Sequence, residues 1–395
     1  MKLFVVILLF LKTASLSDGA TTAKCPCSDP KLCKPILTNP KKETYVFSVS
    51  GQNWMKYDWK KITTIAVVNY VNASLLCYAH SHGVKVVYLA DFNKGNLTNP
   101  ADRHRWVLEQ VNYIENNFLD GINVDYEKGI SKDQPKLRDA LTSLVKELST
   151  ALHSRYKNPQ ITFAIPYIPD GGRRYDYRAF NDIVDFMFIM AYDETGVSRA
   201  WANSPFNTTA QGLQKFLKLG IPADKLVLGL PWYGYNYPCL HYTKDNKCLV
   251  KKVPFRGAPC SDAGGSQLSY SVIKGQLLKT SFTGRLWDVA SQSPYFSYKM
   301  DYSVIKGQLL KRSFTGRLWD EGSISPYFSY KHKGSGDVYQ VWYDDPQSLR
   351  LKYKFADHMH MRGVGMWEAD SLDYTDTPEG KQERADMWGA LPDRK

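Results

Sequence analysis

FLDGINVDYEKGI, residues 118–130, places Asn123, Asp125 and Glu127 at alternate positions in a run that otherwise reads as a buried strand. Successive side chains of a strand point to opposite faces, so these three share one face while Ile122, Val124 and Tyr126 share the other. The apolar set suits a layer of helices. The polar set then faces a barrel interior, with Glu127 nearest the carboxyl end, where barrel active sites gather.

Working outward, seven further runs look like strands: YVFSVSG (45–51), ITTIAVV (62–68), VKVVYLADF (84–92), ITFAIPYI (161–168), VDFMFIMAYDE (184–194), LVLGLPWYGY (226–235) and GVGMWEA (363–369). Amphipathic segments separate them. Leu137, Ala140, Leu141, Leu144, Val145, Leu148 and Leu152 form one helical stripe, and Val107, Leu108, Val111 and Ile114 another. Gly83 and Gly220 sit where helices would end. Strands apolar on both faces, alternating with helices, indicate a parallel sheet covered by helices. Eight such units predict an α/β chain folded as a (β/α)₈ TIM barrel, with an α+β insertion between strand 7 and the last helices. At 395 residues, 43% of them hydrophobic, the chain is long enough for it.

The predicted organisation is a signal peptide over residues 1–20, a barrel over 21–235 and 345–395, and an inserted lobe over 236–344. The opening segment has Lys2 before an apolar run, Leu3 to Leu11, then small residues, the layout of a cleavable secretory signal and too short to span a bilayer. The lobe holds a tandem duplication, residues 270–301 and 302–333, in which about 26 of 32 positions match. Two copies fall short of a solenoid. One copy is expected to pack normally and the other to be extruded or poorly packed.

Asn72, Asn96 and Asn207 head N-x-S/T sequons, candidate glycosylation sites for a secretory chain. The seven cysteines then favour disulfides, with at least one thiol left over. A zinc site at Cys25, Cys27 and Cys33 is the rival reading, without a histidine at ligand spacing. His358 and His360 stand two apart on an expected helix and do not share a face, so no metal is expected; nor is a cofactor. The formal charge of +12 is spread along the chain, which points to solvated surface and not to a nucleic-acid or membrane partner. A monomer is expected.

An isolated D-x-E pair also fits a buried salt-bridge or hydrogen-bond network. Its chemistry is narrowed by spacing: Asp125 and Glu127 lie about 6.6 Å apart along the strand and project in parallel. A two-carboxylate glycosidase places its pair on opposite sides of the scissile bond. These two suit an acid and its helper instead, with Asp125 as a negative charge that keeps Glu127 protonated. The nucleophile then comes from elsewhere, the substrate included.

Residues 120–127, DGINVDYE, resemble the D-G-x-D-x-D-x-E signature of glycoside hydrolase family 18, the chitinase family. The resemblance implies that Glu127 is the proton donor, that the substrate's acetamido oxygen attacks the anomeric carbon to give an oxazolinium ion, and that configuration is retained. Asp125 would orient the acetamido group. Met190-Ala191-Tyr192-Asp193 is similar to the family's M-x-Y-D on strand six, where Tyr192 steadies the acetamido group and Asp193 contacts substrate. Trp367 on strand eight resembles the tryptophan that floors the sugar subsite, and residues 230–234, LPWYG, match a strand-seven motif more weakly.

Asn123 departs from most chitinases of the family, which have an aspartate there. An amide can donate a hydrogen bond to Asp125 but cannot hold a shared proton. With CPCSDPKLCKPI (25–36), VPFRGAPCSD (253–262) and VWYDDPQSL (341–349), it resembles a branch of the family that cleaves the chitobiose core of asparagine-linked glycans from the reducing end, in lysosomes. The alternatives are a secreted endochitinase and a catalytically weak lectin.

Overall fold

The computed structural model describes residues 23–92, 94–194, 198–250, 298–331 and 335–393. The expected signal segment and Cys260 lie outside the described residues, as does most of the first copy of the duplication.

Each of the eight apolar runs yields one barrel strand: β1 (Glu43–Ser48), β2 (Thr64–Val67), β3 (Lys85–Ala90), β4 (Gly121–Val124), β5 (Gln160–Pro166), β6 (Phe186–Met190), β7 (Leu226–Pro231) and, after the lobe strands named below, Gly363–Trp367. Their ladders are all parallel, and the last strand pairs with both β7 and β1, closing the barrel. The sequence order is the spatial order. Helices α1 (Ala73–Ser81), α2 (Pro100–Asn116), α3 (Pro135–Arg155), α4 (Tyr177–Ile183) and α5 (Phe206–Lys218) fall between strands, and α6 (Pro346–His358) and α7 (Pro378–Trp388) flank the last one.

The expected stripe of α3 is buried from Ala140 to Leu152, where each fully covered Leu or Val contributes about 1.5–3 kcal/mol. On α2 the stripe is Val107, Val111 and Ile114 with Trp106. Leu108, expected in it, is exposed, because it lies one residue round the helix from Val107. Gly83 and Gly220 follow α1 and α5 with positive φ, as a helix stop requires. His360 lies beyond the end of α6, also at positive φ, so the two-apart helical spacing with His358 does not arise.

Inside the barrel, Tyr45, Phe47, Phe186 and Phe188 fill the axis. Phe188 occupies space that two glycines leave: a Cβ on Gly229 would stand 2.1 Å from its ring, and one on Gly365 2.7 Å. The opposite faces of the strands, Ile122, Val124 and Tyr126 among them, join the larger core under the helices, as strand parity predicts.

The run 226–235 is not one strand. It breaks at Trp232, which is fully buried against Trp388, and β8 (Tyr233–Pro238) leaves the barrel for a separate antiparallel sheet. In chain order, β9 (His241–Tyr242) and β10 (Cys248–Leu249) form a small hairpin, and β11 (Tyr298–Asp301), β12 (Leu318–Asp320), β13 (Ser325–Lys331) and β14 (Val338–Trp342) complete the sheet in the order β11-β8-β14-β13-β12. The last barrel strand is therefore β15. The second copy of the duplication supplies β12 and β13, with Tyr302, Ile305, Phe328 and Tyr330 buried. Only the end of the first copy, as β11 against β8, falls among the described residues.

Three disulfides, Cys25–Cys33, Cys27–Cys77 and Cys239–Cys248, consume the cysteines proposed for zinc, so the rival metal reading fails. The second ties the amino-terminal arm to α1. Asp120 secures the same arm at the bottom of the barrel, accepting hydrogen bonds from the Ile36 amide, the Val86 amide and His80 Nε2. Burial pulls the His80 imidazole down, but Asp120 and the Leu32 carbonyl outweigh it and the net shift is upward. The first aspartate of the motif is thus a structural anchor far from the mouth.

Candidate active site

The parallel ladder of β4 ends at Val124, and the backbone continues upward with the Asp125 amide bonded to the Ala90 carbonyl, 2.9 Å. Parity persists past the strand end: Tyr126 turns into the outer core, while Asp125 and Glu127 line the cleft at the carboxyl end of the barrel. Asn123 lies below them, fully buried. Its amide nitrogen donates to Thr162 Oγ1 at 2.8 Å, and the Tyr45 hydroxyl lies 3.1 Å from that same oxygen. Its sequence position suggested donation to Asp125; the bond the amide makes is to Thr162. The carbonyl oxygen of Asn123 is buried and makes no hydrogen bond among the described residues, so it is available as an acceptor.

Burial pushes the Asp125 carboxyl up to about 7, and the charge of Glu127 adds to this against the pull of Arg173. Glu127 is shallower, with 42% of its side chain exposed, and forms an ion pair with Arg173. Two adjacent carboxyls resist double ionisation, so a proton taken up here belongs to the pair. Asp91, at the end of β3, is also pushed up by burial.

Strand β6 delivers Met190, Tyr192 and Asp193 to the same cleft. Burial and the three carboxylates around it hold the Tyr192 phenol well above its ordinary value, so it stays a neutral hydrogen-bond donor. Asp193 adopts positive φ, which turns its side chain toward the lobe. There it accepts from the hydroxyls of Tyr233 and Tyr235, the latter at 2.7 Å, while its amide donates to Asn203 Oδ1 at 2.7 Å. From β15, Trp367 packs on Phe47 with ring centroids 5.1 Å apart. The cleft encloses about 400 Å³ and is lined by Phe47, Leu89, Ala164 and Trp367 besides the polar residues. An apolar floor with a few converging polar groups is the general form of a small-ligand site.

The residues singled out from the sequence as catalytic or substrate-contacting line this cleft, apart from Asn123, which lies beneath it. Sequence reasoning missed Arg173, Tyr45, Thr162 and Asp91. Tyr45 and Thr162 stand at inward positions of β1 and β5, a signal present in strand parity. Arg173 lies in a loop without periodicity and gave none.

The sequence matches the description "Glycosyl hydrolases family 18" over residues 89–371. It is 38% identical to di-N-acetylchitobiase of Homo sapiens, over 94% of this chain and 89% of that protein. It is 33% identical to probable di-N-acetylchitobiase 1 of Dictyostelium discoideum, over 99% and 98%. Among solved structures, the class V chitinase of Nicotiana tobaccum shares the fold with a TM-score of 0.64 at 16% identity, covering 88% of this chain and 99% of that one. A closed parallel barrel, a D-x-E row at the end of its fourth strand and near-full-length relatives agree. The chain is a glycoside hydrolase and belongs to family 18.

Proposed function

We propose that this enzyme hydrolyses the GlcNAc–GlcNAc (chitobiose) core of asparagine-linked glycans from the reducing end, with retention, using the substrate's acetamido group as nucleophile. The observation that carries the reading is the disposition of Asp125 and Glu127, side by side at one strand end over an apolar floor. No enzyme carboxylate then needs to attack from the far side. Glu127 gives its proton to the glycosidic oxygen, and the C–O bond breaks with its electron pair leaving on that oxygen. The acetamido carbonyl oxygen bonds to the anomeric carbon, giving an oxazolinium ion. Asp125, deprotonated as its proton passes to Glu127, balances that positive charge, and the Tyr192 hydroxyl donates to the acetamido group. Water, deprotonated by Glu127, opens the ring from the face the leaving sugar vacated. Trp367 offers its face to the sugar, with Met190 and Asp193 at the rim.

The names of the near-full-length relatives support the substrate class, and solved chitinases of this fold hold GlcNAc oligomers. The setting that fits is the lysosome, reached by way of a signal peptide over residues 1–20, with a monomeric glycoprotein as product. Asn96 and Asn207 are exposed and Asn72 half-buried, open to glycans. Among the described residues no helix is long and apolar enough to cross a membrane.

The test is Glu127→Gln in the recombinant mature enzyme, assayed on chitobiose and longer oligomers. Turnover should fall by about 10²–10⁴ with the melting temperature unchanged. A near-normal rate would refute the acid assignment, and internal cleavage of long polymer would favour an endochitinase.

A further inference from the structure

Arg173 is held as firmly as the acid it touches. The loop that follows β4 and the loop that follows β5 are stitched together: the Ile130 amide donates to the Gly172 carbonyl at 2.9 Å, and the Arg174 amide to the Ile130 carbonyl at 3.0 Å. The Tyr175 hydroxyl lies 2.7 Å from the Tyr126 carbonyl and 2.8 Å from that of Lys128. The carbonyl of Arg173 itself accepts from the Tyr177 hydroxyl. The arginine side chain is 14% exposed and pairs with Glu127 Oε2. A guanidinium fixed on both sides to the segment that carries Glu127 is a built feature of the site, not a stray surface contact.

Resting on the reading of Glu127 as the acid, we propose that Arg173 is a positioning residue for it. Its guanidinium aims Glu127 as a carboxylate in the free enzyme and receives the charge again as the proton leaves for the departing sugar. The pairing is weak while Glu127 carries the proton and strong once it has given it up. An interaction that strengthens along the reaction coordinate lowers the barrier, whereas one of constant strength does not. The same cation opposes protonation of the pair, so it confines activity to acidic pH.

The other charged or titratable groups around the pair and Arg173 are Asp91 from the end of β3, Lys128 from the β4 loop, Tyr175 and Tyr177 just after Arg173, and Tyr192 and Asp193 past the end of β6. Asp91 raises the Asp125 carboxyl, as Glu127 does, whereas Arg173 lowers it. Lys128 acts on Asp91. Removing Arg173 therefore moves the alkaline limb of activity upward.

The experiment compares Arg173→Gln and Arg173→Lys with the wild-type mature enzyme on two substrates of the same donor sugar. One is chitobiose, whose leaving sugar needs a proton. The other is a nitrophenyl glycoside, whose leaving group departs without one. Arg173→Gln should lose at least about tenfold in kcat on chitobiose, within the range of general-acid catalysis, and less than about threefold on the nitrophenyl glycoside. Its alkaline limb should rise by about one pH unit, and Arg173→Lys should restore most of both. Equal losses on the two substrates, or an unmoved pH profile, would overturn the proposal. Failure of the acid assignment itself shows separately, as a Glu127→Gln enzyme that still turns over chitobiose.

Discussion

Glu194 follows the site residues Tyr192 and Asp193 but points away from the cleft, and it offers a measurable link between this fold and pH. Its carboxylate accepts from the hydroxyls of Thr208 and Thr209 in the first turn of α5, and its amide donates to the Asn203 carbonyl at 3.1 Å. Burial pushes it from 4.5 up to about 8, against the pull of Thr208, Lys352 and Thr209. A carboxyl raised in the folded state favours folding when protonated. Its contribution is complete below about pH 4.5 and is lost as pH rises through 8. At about 1.4 kcal/mol for each tenfold change in proton affinity, the amount at stake is on the order of 5 kcal/mol. That is comparable with the whole stability of many domains. Glu194→Gln keeps the shape without the charge, at a cost of about 1 kcal/mol in altered hydrogen bonds. Thermal melts at fixed protein concentration from pH 4.5 to 9 should show the wild type falling progressively between about pH 5 and 8 and levelling off above that. The variant should start slightly lower at acid pH and end higher at pH 9, by roughly 5–15 °C. Parallel curves for the two proteins would refute the reasoning.

Two further outcomes follow from neighbouring features. Asn123→Asp puts a second buried carboxyl beneath Asp125, and the alkaline limb of kcat/KM should move by about one pH unit or more; a superimposable pH–rate curve would count against any coupling between the two positions. Deleting residues 270–301 joins Ser269 to Tyr302 and removes the edge strand β11, while the second copy keeps every lobe side chain described as buried between Tyr302 and Tyr330. The deletion variant should be secreted with near-normal chitobiose turnover and a melting temperature within a few degrees of the parent, and an aggregated or inactive product would show that the first copy carries structure of its own.

The barrel was legible because its signals are local. Period-two and period-3.6 patterns report which faces are covered, and each of the eight expected runs overlaps its strand. The break at Trp232 was not legible, since an apolar residue continues the pattern whether the strand stays in the barrel or crosses to the lobe sheet. The row Asn123, Asp125, Glu127 was legible for a similar reason, parity. Depth along the row was not. Parity assigns a face but not the distance from solvent, and it is depth that pushes the Asp125 carboxyl up while Glu127 stays half-exposed beside Arg173. The partner of Asn123 lies 39 residues on, at Thr162, and that of Glu127 lies 46 on, at Arg173. Contacts of that span exist only once the barrel has closed.

The amide at position 123 and the guanidinium at position 173 bear on one electrostatic problem. Three acids in the D-x-D-x-E row would crowd negative charge into a buried strand end, and a proton shared between the two lower ones would relieve it. Here the lowest position is an amide engaged by Thr162, which removes one charge, and Arg173 balances the uppermost carboxylate from outside. The remaining acid, Asp125, can then hold a single proton with the group as a whole neutral: one carboxylate, one cation, one neutral acid and one amide. Neutrality in the resting state is what a buried site of low polarity favours. It also explains how the chain can lack an aspartate at position 123 and still keep a proton next to its acid. Under the mechanism proposed above, a single transfer, Asp125 to Glu127, would both load the acid and create the counter-ion that an oxazolinium intermediate needs.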